Sequence, residues 1–193
     1  MADKNIVVAI TGASGAPYAR KLLHVLAGVE GFKTHLVASS AGKLVYGIEN
    51  GVALEEDIPK SVKIYDEKDF TAPFASGSFI TEGMAGVPCT MGTLASIANG
   101  ISQNLIHRAA DVCLKERRKL VLLPRETPLS RIHLANMLRV SEAGGIILPP
   151  MPGFYHRPQT IDDLVNFVVG RVLEQFGIKQ SLVPPWNPDL INA

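Results

Sequence analysis

The chain has 193 residues, a formal net charge of +1, and a hydrophobic fraction of 47% with only 6% aromatic residues. This length suits one domain with a buried core, and the composition is that of an aliphatic globular protein rather than a disordered chain. The near-neutral charge disfavours a nucleic-acid-binding surface, which needs a concentrated basic face. No segment has the pattern of a signal peptide or a membrane span, so we expect a cytoplasmic protein without membrane contact. The two cysteines, Cys89 and Cys113, have neither the spacing of a metal site nor that of a disulfide framework.

The chain begins with a predicted strand over Asn5–Ile10, then the turn Thr11–Gly15 and a predicted helix over Ala16–Leu26. This order brings helix N–H groups, the positive end of the helix dipole and the Ser14 hydroxyl to one point, which suits a phosphate. The pattern contains only two glycines of the G-x-G-x-x-G motif, so a simple strand-to-helix turn with a serine cap stays an alternative.

The second predicted strand, Thr34–Ala38, ends at Ser39 and Ser40. A dinucleotide-binding fold usually has an acidic residue at this strand end, where it binds the ribose hydroxyls. Small and hydroxyl-bearing residues replace it here. We therefore predict that the ligand is a mononucleotide rather than NAD.

The rest of the chain continues to alternate apolar runs with helical patterns, which predicts a mostly parallel sheet covered on both faces. We expect one α/β domain over residues 1–180 and a proline-rich tail over 181–193 that holds the only tryptophan, Trp186. Thr160 and Asp163 have the spacing of a capping pair for the last helix. The further predicted helices are 44–49, 90–100, 104–115, 129–143 and 160–176, and the further strands are 62–65, 119–123 and 146–148.

Ligands of such folds bind beyond the carboxyl ends of the strands. The residues expected there are Ser14, Ser39, the turn Thr90–Thr93, Arg125 with Glu126, and the loop Pro150–His156. Arg125 and Glu126 follow a fully apolar strand, where charge is costly unless it is used or paired. They are either a surface ion pair or an anion-binding arginine beside a carboxylate that transfers protons.

Two further positions have two interpretations each. Tyr155 is either a hydrogen-bond donor held by a proline-stiffened loop or a packing residue, and Arg171 either extends to solvent or enters a site. Lys115 belongs to the charged run 115–119, which by itself reads as a solvated helix end. His156 has no partner visible in the sequence.

Six motifs occur together in this order: Thr11–Gly15, Ala75–Ser78, Cys89–Leu94, Asn104–Val112, Leu122–Glu126 and Pro152–His156. With them the chain closely resembles the UbiX-type flavin prenyltransferases over nearly its whole length. The resemblance implies a three-layer Rossmann- or flavodoxin-like domain that assembles as a homododecamer. It also implies metal-independent transfer of a dimethylallyl group from dimethylallyl phosphate to N5 and C6 of reduced FMN. The prenylated FMN then serves a UbiD-type decarboxylase.

The resemblance also implies roles for individual residues. The catalytic residues would be Ser14, Glu49, Lys115 and Glu126. The FMN contacts would be Gly12, Ala13, Ser14, Ser39, Thr90, Met91, Gly92, Thr93 and Arg125. The contacts to the prenyl donor would be Arg108, Lys115, Tyr155, Arg171 and Trp186, of which Arg108 and Trp186 match residues near subunit boundaries.

The sequence departs from the family pattern in two places. Thr90 stands where the family often has serine, and the strand before it, around Gly83–Val87, is less continuously apolar. One alternative is an FMN-dependent flavoprotein like the cysteine decarboxylases, although these carry Pro-Ala-Ser-Ala-Asn-Thr where this chain has Phe74–Phe79. A second alternative is a flavin carrier or scaffold without activity of its own. Against it argues the combination of Glu49, Lys115, Glu126, Tyr155 and Arg171.

Overall fold

The computed structural model describes residues 3–187 as an α/β domain with a six-stranded sheet in the order β3-β2-β1-β4-β5-β6. All neighbouring strands are parallel, which confirms the predicted sheet, and the order is that of a Rossmann fold. The strands are β1 Lys4–Ile10, β2 Phe32–Ala38, β3 Lys63–Tyr65, β4 Gly83–Cys89, β5 Lys119–Pro124 and β6 Ile146–Ile147. The helices are α1 Ala16–Ala27, α2 Ser40–Asn50, α3 Leu54–Asp57, α4 Met91–Ala98, α5 Leu105–Lys115, α6 Arg131–Glu142 and α7 Ile161–Gln175, with a 3-10 turn at Pro73–Ala75.

The three layers follow from the alternation of side chains along the central strand. Ile6, Val8 and Ile10 of β1 pack into one buried cluster with α1 and α7. Val7 and Ala9 point to the opposite face and pack with α4 and α5. Successive side chains of a strand face opposite sides of a sheet, so a fully apolar strand requires helices on both faces.

Strand β4 is longer than its composition indicated, and all seven of its residues are buried. Gly83 has a φ of 141°, and a Cβ atom there would lie 2.0 Å from the carbonyl oxygen of Lys119 at the start of β5. Glycine is therefore required for the close approach of the two strands. The interruption of the apolar pattern marks close backbone contact rather than the end of the strand.

Two local predictions had different outcomes. The capping pair of α7 is confirmed, since Asp163 N donates to Thr160 Oγ1 at 3.1 Å and Thr160 N donates to Asp163 Oδ2 at 2.9 Å. The predicted helix 44–49 begins too late, because α2 starts at Ser40 with Ser39 as its N-cap. The short helix α3 and the 3-10 turn were not predicted.

Candidate functional site

The predicted crevice lies at the carboxyl edge of the sheet, between β1 and β4. The chain proceeds from β1 to β2 and β3 on one side, and β4 to β6 lie on the other, so the connections diverge above these two strands. Such a divergence leaves an opening that binds ligands in open α/β sheets. Thr11, Ser39, Thr90 and Arg125 each follow directly on the strands β1, β2, β4 and β5.

Thr11 joins the two sides of this crevice. Its buried hydroxyl donates to the carbonyl oxygen of Pro88 at 3.0 Å and accepts from the backbone N–H of Thr90 at 2.7 Å. Both hydrogen-bonding functions of the side chain are thus used to hold the turn after β1 against the end of β4. Thr11 was not among the predicted site residues, although a hydroxyl at the junction of an apolar strand and a glycine turn is a usable signal.

The N-terminus of α1 is occupied by a carboxylate of the protein itself. Glu49 Oε2 accepts from the backbone N–H groups of Gly15 at 2.8 Å and of Ala16 at 2.7 Å. Burial opposes ionisation of Glu49, but hydrogen bonds from Ser14, Gly15 and Ala16 and the charge of Arg125 outweigh it, so the pKa of this carboxyl lies below its ordinary value. Two N–H groups at this helix end are thus used within the chain, and phosphate binding at the turn before it stays a prediction.

The N-terminus of α2 is also closed by an acidic side chain. The Ser39 hydroxyl accepts from Gly42 N at 3.0 Å, and both the backbone N–H and the hydroxyl of Ser40 donate to Glu67 Oε1, at 2.9 and 2.8 Å. A Cβ atom at Gly12 would lie 2.6 Å from the Ala41 Cβ, so the turn after β1 packs directly on α2. An acid, Glu67, does lie beside the end of β2, but it comes from the segment after β3, and no local pattern predicted it there.

The N-terminus of α4 remains suited to an anion. Thr90 caps the helix by accepting from Thr93 N at 3.1 Å, and the first turn contains no acidic residue. Within residues 3–187, the N–H groups of Met91 and Gly92 have no hydrogen-bond acceptor. Free N–H groups at the positive end of a helix dipole are a ready phosphate site. The predicted turn Thr90–Thr93 therefore fits the phosphate of FMN.

Arg125 and Glu126 do not form an ion pair with each other in the described part of the chain. Arg125 Nε donates to the carbonyl oxygen of Ser14 at 3.2 Å, which directs the guanidinium across the crevice. The exposed Glu126 turns the other way, where its Oε1 accepts from Thr127 N at 2.9 Å. The two neighbours thus present opposite charges in different directions.

Tyr155, Arg171 and Trp186 come together in a second group. They line a cavity of about 170 Å³ between α7 and the segment after it. The rings of Tyr155 and Trp186 meet edge to face, with centroids 5.1 Å apart, and Arg171 pairs with Glu174. Gln180 holds the segment that leads to Trp186, since its Oε1 accepts from Leu182 N at 2.7 Å and Val183 N at 3.1 Å.

Arg108 and Lys115 both lie on α5. Arg108 Nε donates to the carbonyl oxygen of Ala75 at 2.9 Å, and Lys115 pairs with Glu116 at the end of α5. Lys115 precedes β5 whereas Arg125 follows it, and a six-residue strand separates its two ends by roughly 20 Å. A single chain therefore does not bring Lys115 together with Arg125.

Two classes of feature are lacking in residues 3–187. No group of three or more His, Cys, Asp or Glu side chains there is arranged to hold a metal ion. None of the helices in that range combines the length and the apolar character needed to cross a membrane. A cavity of about 430 Å³ between α1 and α7 is lined by none of the predicted site residues.

Comparison with known proteins identifies the family of this chain. The family model described as Flavoprotein matches residues 1–173. The flavin prenyltransferase UbiX of Aquifex aeolicus is 48% identical over 188 residues, which cover 95% of this chain and 99% of that protein. The crystal structure of AnUbiX (PadA1) in complex with FMN and dimethylallyl pyrophosphate has a TM-score of 0.91 and 43% identity, and the match covers 96% of this chain and 98% of that one.

A dodecameric FMN-dependent UbiX-like decarboxylase from Escherichia coli O157:H7 also has a TM-score of 0.91, with 45% identity over 95% of this chain and 99% of that chain. The names of these relatives thus differ in the reaction they state, but all of them place the chain in one family. The identity extends over nearly the full length of the chain. The chain therefore belongs to the UbiX-type flavin prenyltransferase family.

Proposed function

We propose that this protein is a flavin prenyltransferase that joins a dimethylallyl group from dimethylallyl phosphate to N5 and C6 of reduced FMN. The observation that carries the proposal is the family membership at 46–50% identity over nearly the whole chain. The open N-terminus of α4 beside Arg125 supports FMN as the flavin, because it offers free N–H groups to a single phosphate. This similarity favours the transferase over an FMN-dependent flavoprotein like the cysteine decarboxylases.

The phosphate of the prenyl donor needs fixed positive charge as it leaves. Departure from an allylic carbon produces a delocalised cation and an anion, and preorganised cations and donors lower this barrier. We assign this task to Arg125, to the Arg171 guanidinium and the Tyr155 hydroxyl, and to Lys115. Arg171 must exchange its Glu174 partner for the phosphate, which its position on the surface of α7 permits.

Glu126 is the proton-transfer group of this proposal. Its carboxyl group is exposed and is held only by the neighbouring N–H of Thr127. As the carboxylic acid it gives its proton to the leaving phosphate, and the carboxylate that remains accepts a proton from the flavin ring, which restores the acid. Glu49 and Ser14 act differently. Glu49 fixes the turn Ser14–Ala16 through two N–H groups, and this holds Ser14 at the rim of the crevice.

Lys115 and Arg108 serve the active site of a neighbouring subunit in this proposal. Both lie on α5, and within one chain Lys115 lies at the opposite end of β5 from Arg125, yet the family pattern places these basic residues at the prenyl donor. A closed homo-oligomer resolves the discrepancy, because symmetry brings the α5 surface of one subunit to the crevice of another. We propose twelve subunits, the number stated for the Escherichia coli relative.

The product, prenylated FMN, would be delivered to a UbiD-type decarboxylase. The two unpaired buried cysteines, Cys89 and Cys113, fit a reducing cytoplasm as the place of action. In this proposal the cationic groups named above supply the positive charge at the leaving group that a metal ion supplies for other prenyl donors. We therefore expect full activity after exhaustive treatment with EDTA, and recovery only on addition of Mg²⁺ would contradict that role.

Mass spectrometry of the released flavin tests the proposed reaction. The oligomeric protein is incubated anaerobically with reduced FMN and either dimethylallyl phosphate or dimethylallyl pyrophosphate, since AnUbiX was crystallised with the latter. We expect an FMN derivative heavier by one five-carbon unit, formed faster from the monophosphate. An unchanged flavin mass with both donors would exclude the activity.

A further inference from the structure

His156 follows Tyr155 in the Pro152–His156 motif, and its side chain has no role in the proposed reaction. Its imidazole lies parallel to the ring of Phe167 on α7, with an angle of 7° between the planes and 5.5 Å between the centroids. This is an offset stack, the favourable arrangement for two flat aromatic rings. The loop before α7 is thereby held against the helix by ring contact.

The ring of Tyr155 packs against both rings of this stack. Its ring meets His156 edge to face at 5.7 Å and 74°, and meets Phe167 at 5.8 Å and 77°. Trp186 contacts it from a third side, at 5.1 Å and 89°. The Tyr155 hydroxyl forms no hydrogen bond within residues 3–187, so these ring contacts are what orient it.

The nitrogen atoms of His156 do not take part in this arrangement. Both are buried, and neither has a hydrogen-bond partner in the described part of the chain. The imidazole also does not line the cavity that Tyr155 shares with Phe167, Arg171 and Trp186. His156 therefore acts on the cavity through its ring faces and through Tyr155, not through a nitrogen directed at a ligand.

We propose that His156 is a positioning residue: stacked on Phe167, it forms the aromatic platform that directs the Tyr155 hydroxyl into the Arg171–Trp186 cavity. This inference rests on the proposed function, because it takes the Tyr155 hydroxyl as a contact to the prenyl phosphate. It also requires that the ring of His156, and not its nitrogen atoms, orients the Tyr155 hydroxyl. Phenylalanine keeps the ring and removes the nitrogens, whereas glutamine keeps polar atoms and removes the ring.

The test compares His156→Phe, His156→Gln and His156→Ala in the full-length oligomer. We expect His156→Gln and His156→Ala to raise the KM for dimethylallyl phosphate about tenfold, since two aromatic contacts are lost, and to leave kcat within about threefold. His156→Phe should keep both constants within about threefold of the wild type. Its melting temperature should equal or exceed that of the wild type, because two unpaired buried polar atoms are removed.

Tryptophan fluorescence gives a readout that does not depend on prenyl transfer. Trp186 is the only tryptophan of the chain, and it contacts Tyr155 directly. We expect a red-shifted emission in His156→Gln and His156→Ala and a spectrum like that of the wild type in His156→Phe. Phe154→Leu is the matched control, since Phe154 lies in the same loop, is 69% exposed and has no ring contact with Tyr155 or His156.

Failure of the proposed prenyl transfer can be distinguished from failure of the proposed platform of His156. If the wild-type protein forms no prenylated flavin, the proposed function fails, but the fluorescence series still tests the platform. If the wild type is active and His156→Phe is impaired while His156→Gln is normal, the nitrogens are what matter and the platform is excluded. Equal kinetics and spectra for all three variants would exclude it as well.

Discussion

Glu49 Oε2 lies 2.8 Å from the backbone nitrogen of Gly15, although 34 residues separate the two along the chain. The carboxylate comes from the last turn of α2 and accepts from the first N–H groups of α1. A negative charge at a helix N-terminus is stabilised by the dipole and by the unpaired N–H groups there. Glu49, a residue of α2, therefore stabilises the conformation of the turn Thr11–Gly15.

Replacing Glu49 by glutamine should destabilise the fold. The amide keeps an acceptor oxygen but loses the charge that interacts with the α1 N-terminus, so the free energy of unfolding should fall by about 0.5 to 1 kcal/mol. Chemical denaturation at pH 7 measures this. Glu30→Gln is the control, since Glu30 is an exposed acid in a turn and should change the free energy by less. An equal effect of both substitutions would mean that the Gly15 and Ala16 contacts add no stability.

The contribution of Glu49 should depend on pH in one direction. Its folded-state pKa lies below the ordinary value of 4.5, despite the opposing effect of burial, because of the hydrogen bonds and Arg125. The stabilisation is therefore complete above pH 4.5 and is lost as the pH falls through the folded-state pKa. We expect the difference in unfolding free energy between wild type and Glu49→Gln to be constant from pH 8 to about pH 6 and to shrink below the ordinary pKa. A difference that grew on acidification would contradict the assignment.

Glu126→Gln should separate proton transfer from binding. Loss of a general acid–base group typically costs about 100- to 10,000-fold in rate, and the amide is nearly the same size. Because Arg125 donates to Ser14 rather than to Glu126, the substitution should leave the affinity for FMN unchanged. Single-turnover kinetics at saturating ligand measure the rate, with Glu142→Gln as a control on the exposed end of α6. A normal rate with weakened FMN binding would give Glu126 a structural role instead.

Mixed oligomers test whether Lys115 serves a neighbouring subunit. Lys115→Ala and Glu126→Gln should each be nearly inactive alone. If the two residues of one site come from different subunits, co-assembly of these variants restores about one quarter of the sites by random mixing. Activity of the co-expressed, doubly tagged oligomer measures this. As a control, co-assembly of Glu126→Gln with Glu126→Ala should restore no activity. If the mixture of Lys115→Ala with Glu126→Gln is also inactive, both residues of a site come from the same chain.

Local signals in the sequence predicted most of the fold. The alternation of Ile6, Val7 and Val8 places both faces of β1 in the core, and the pair Thr160 and Asp163 marks the start of α7. The start of α2 was missed because its first residues, Ser40–Gly42, have the composition of a turn. In the structure the Ser39 cap and the Glu67 carboxylate stabilise this first turn as a helix.

The sequence by itself determined the alternation of strands with the longer helices, the cap of α7 and the family motifs, because each depends on residues close together in the chain. Tertiary structure alone decided that Glu49 occupies the α1 N-terminus, that Glu67 reaches Ser40, and that Lys115 lies at the opposite end of β5 from Arg125. These relationships join residues many positions apart, and they are set by strand register and by the direction in which each element enters the sheet. Periodicity identifies a buried face, but it does not determine which distant side chain packs against it.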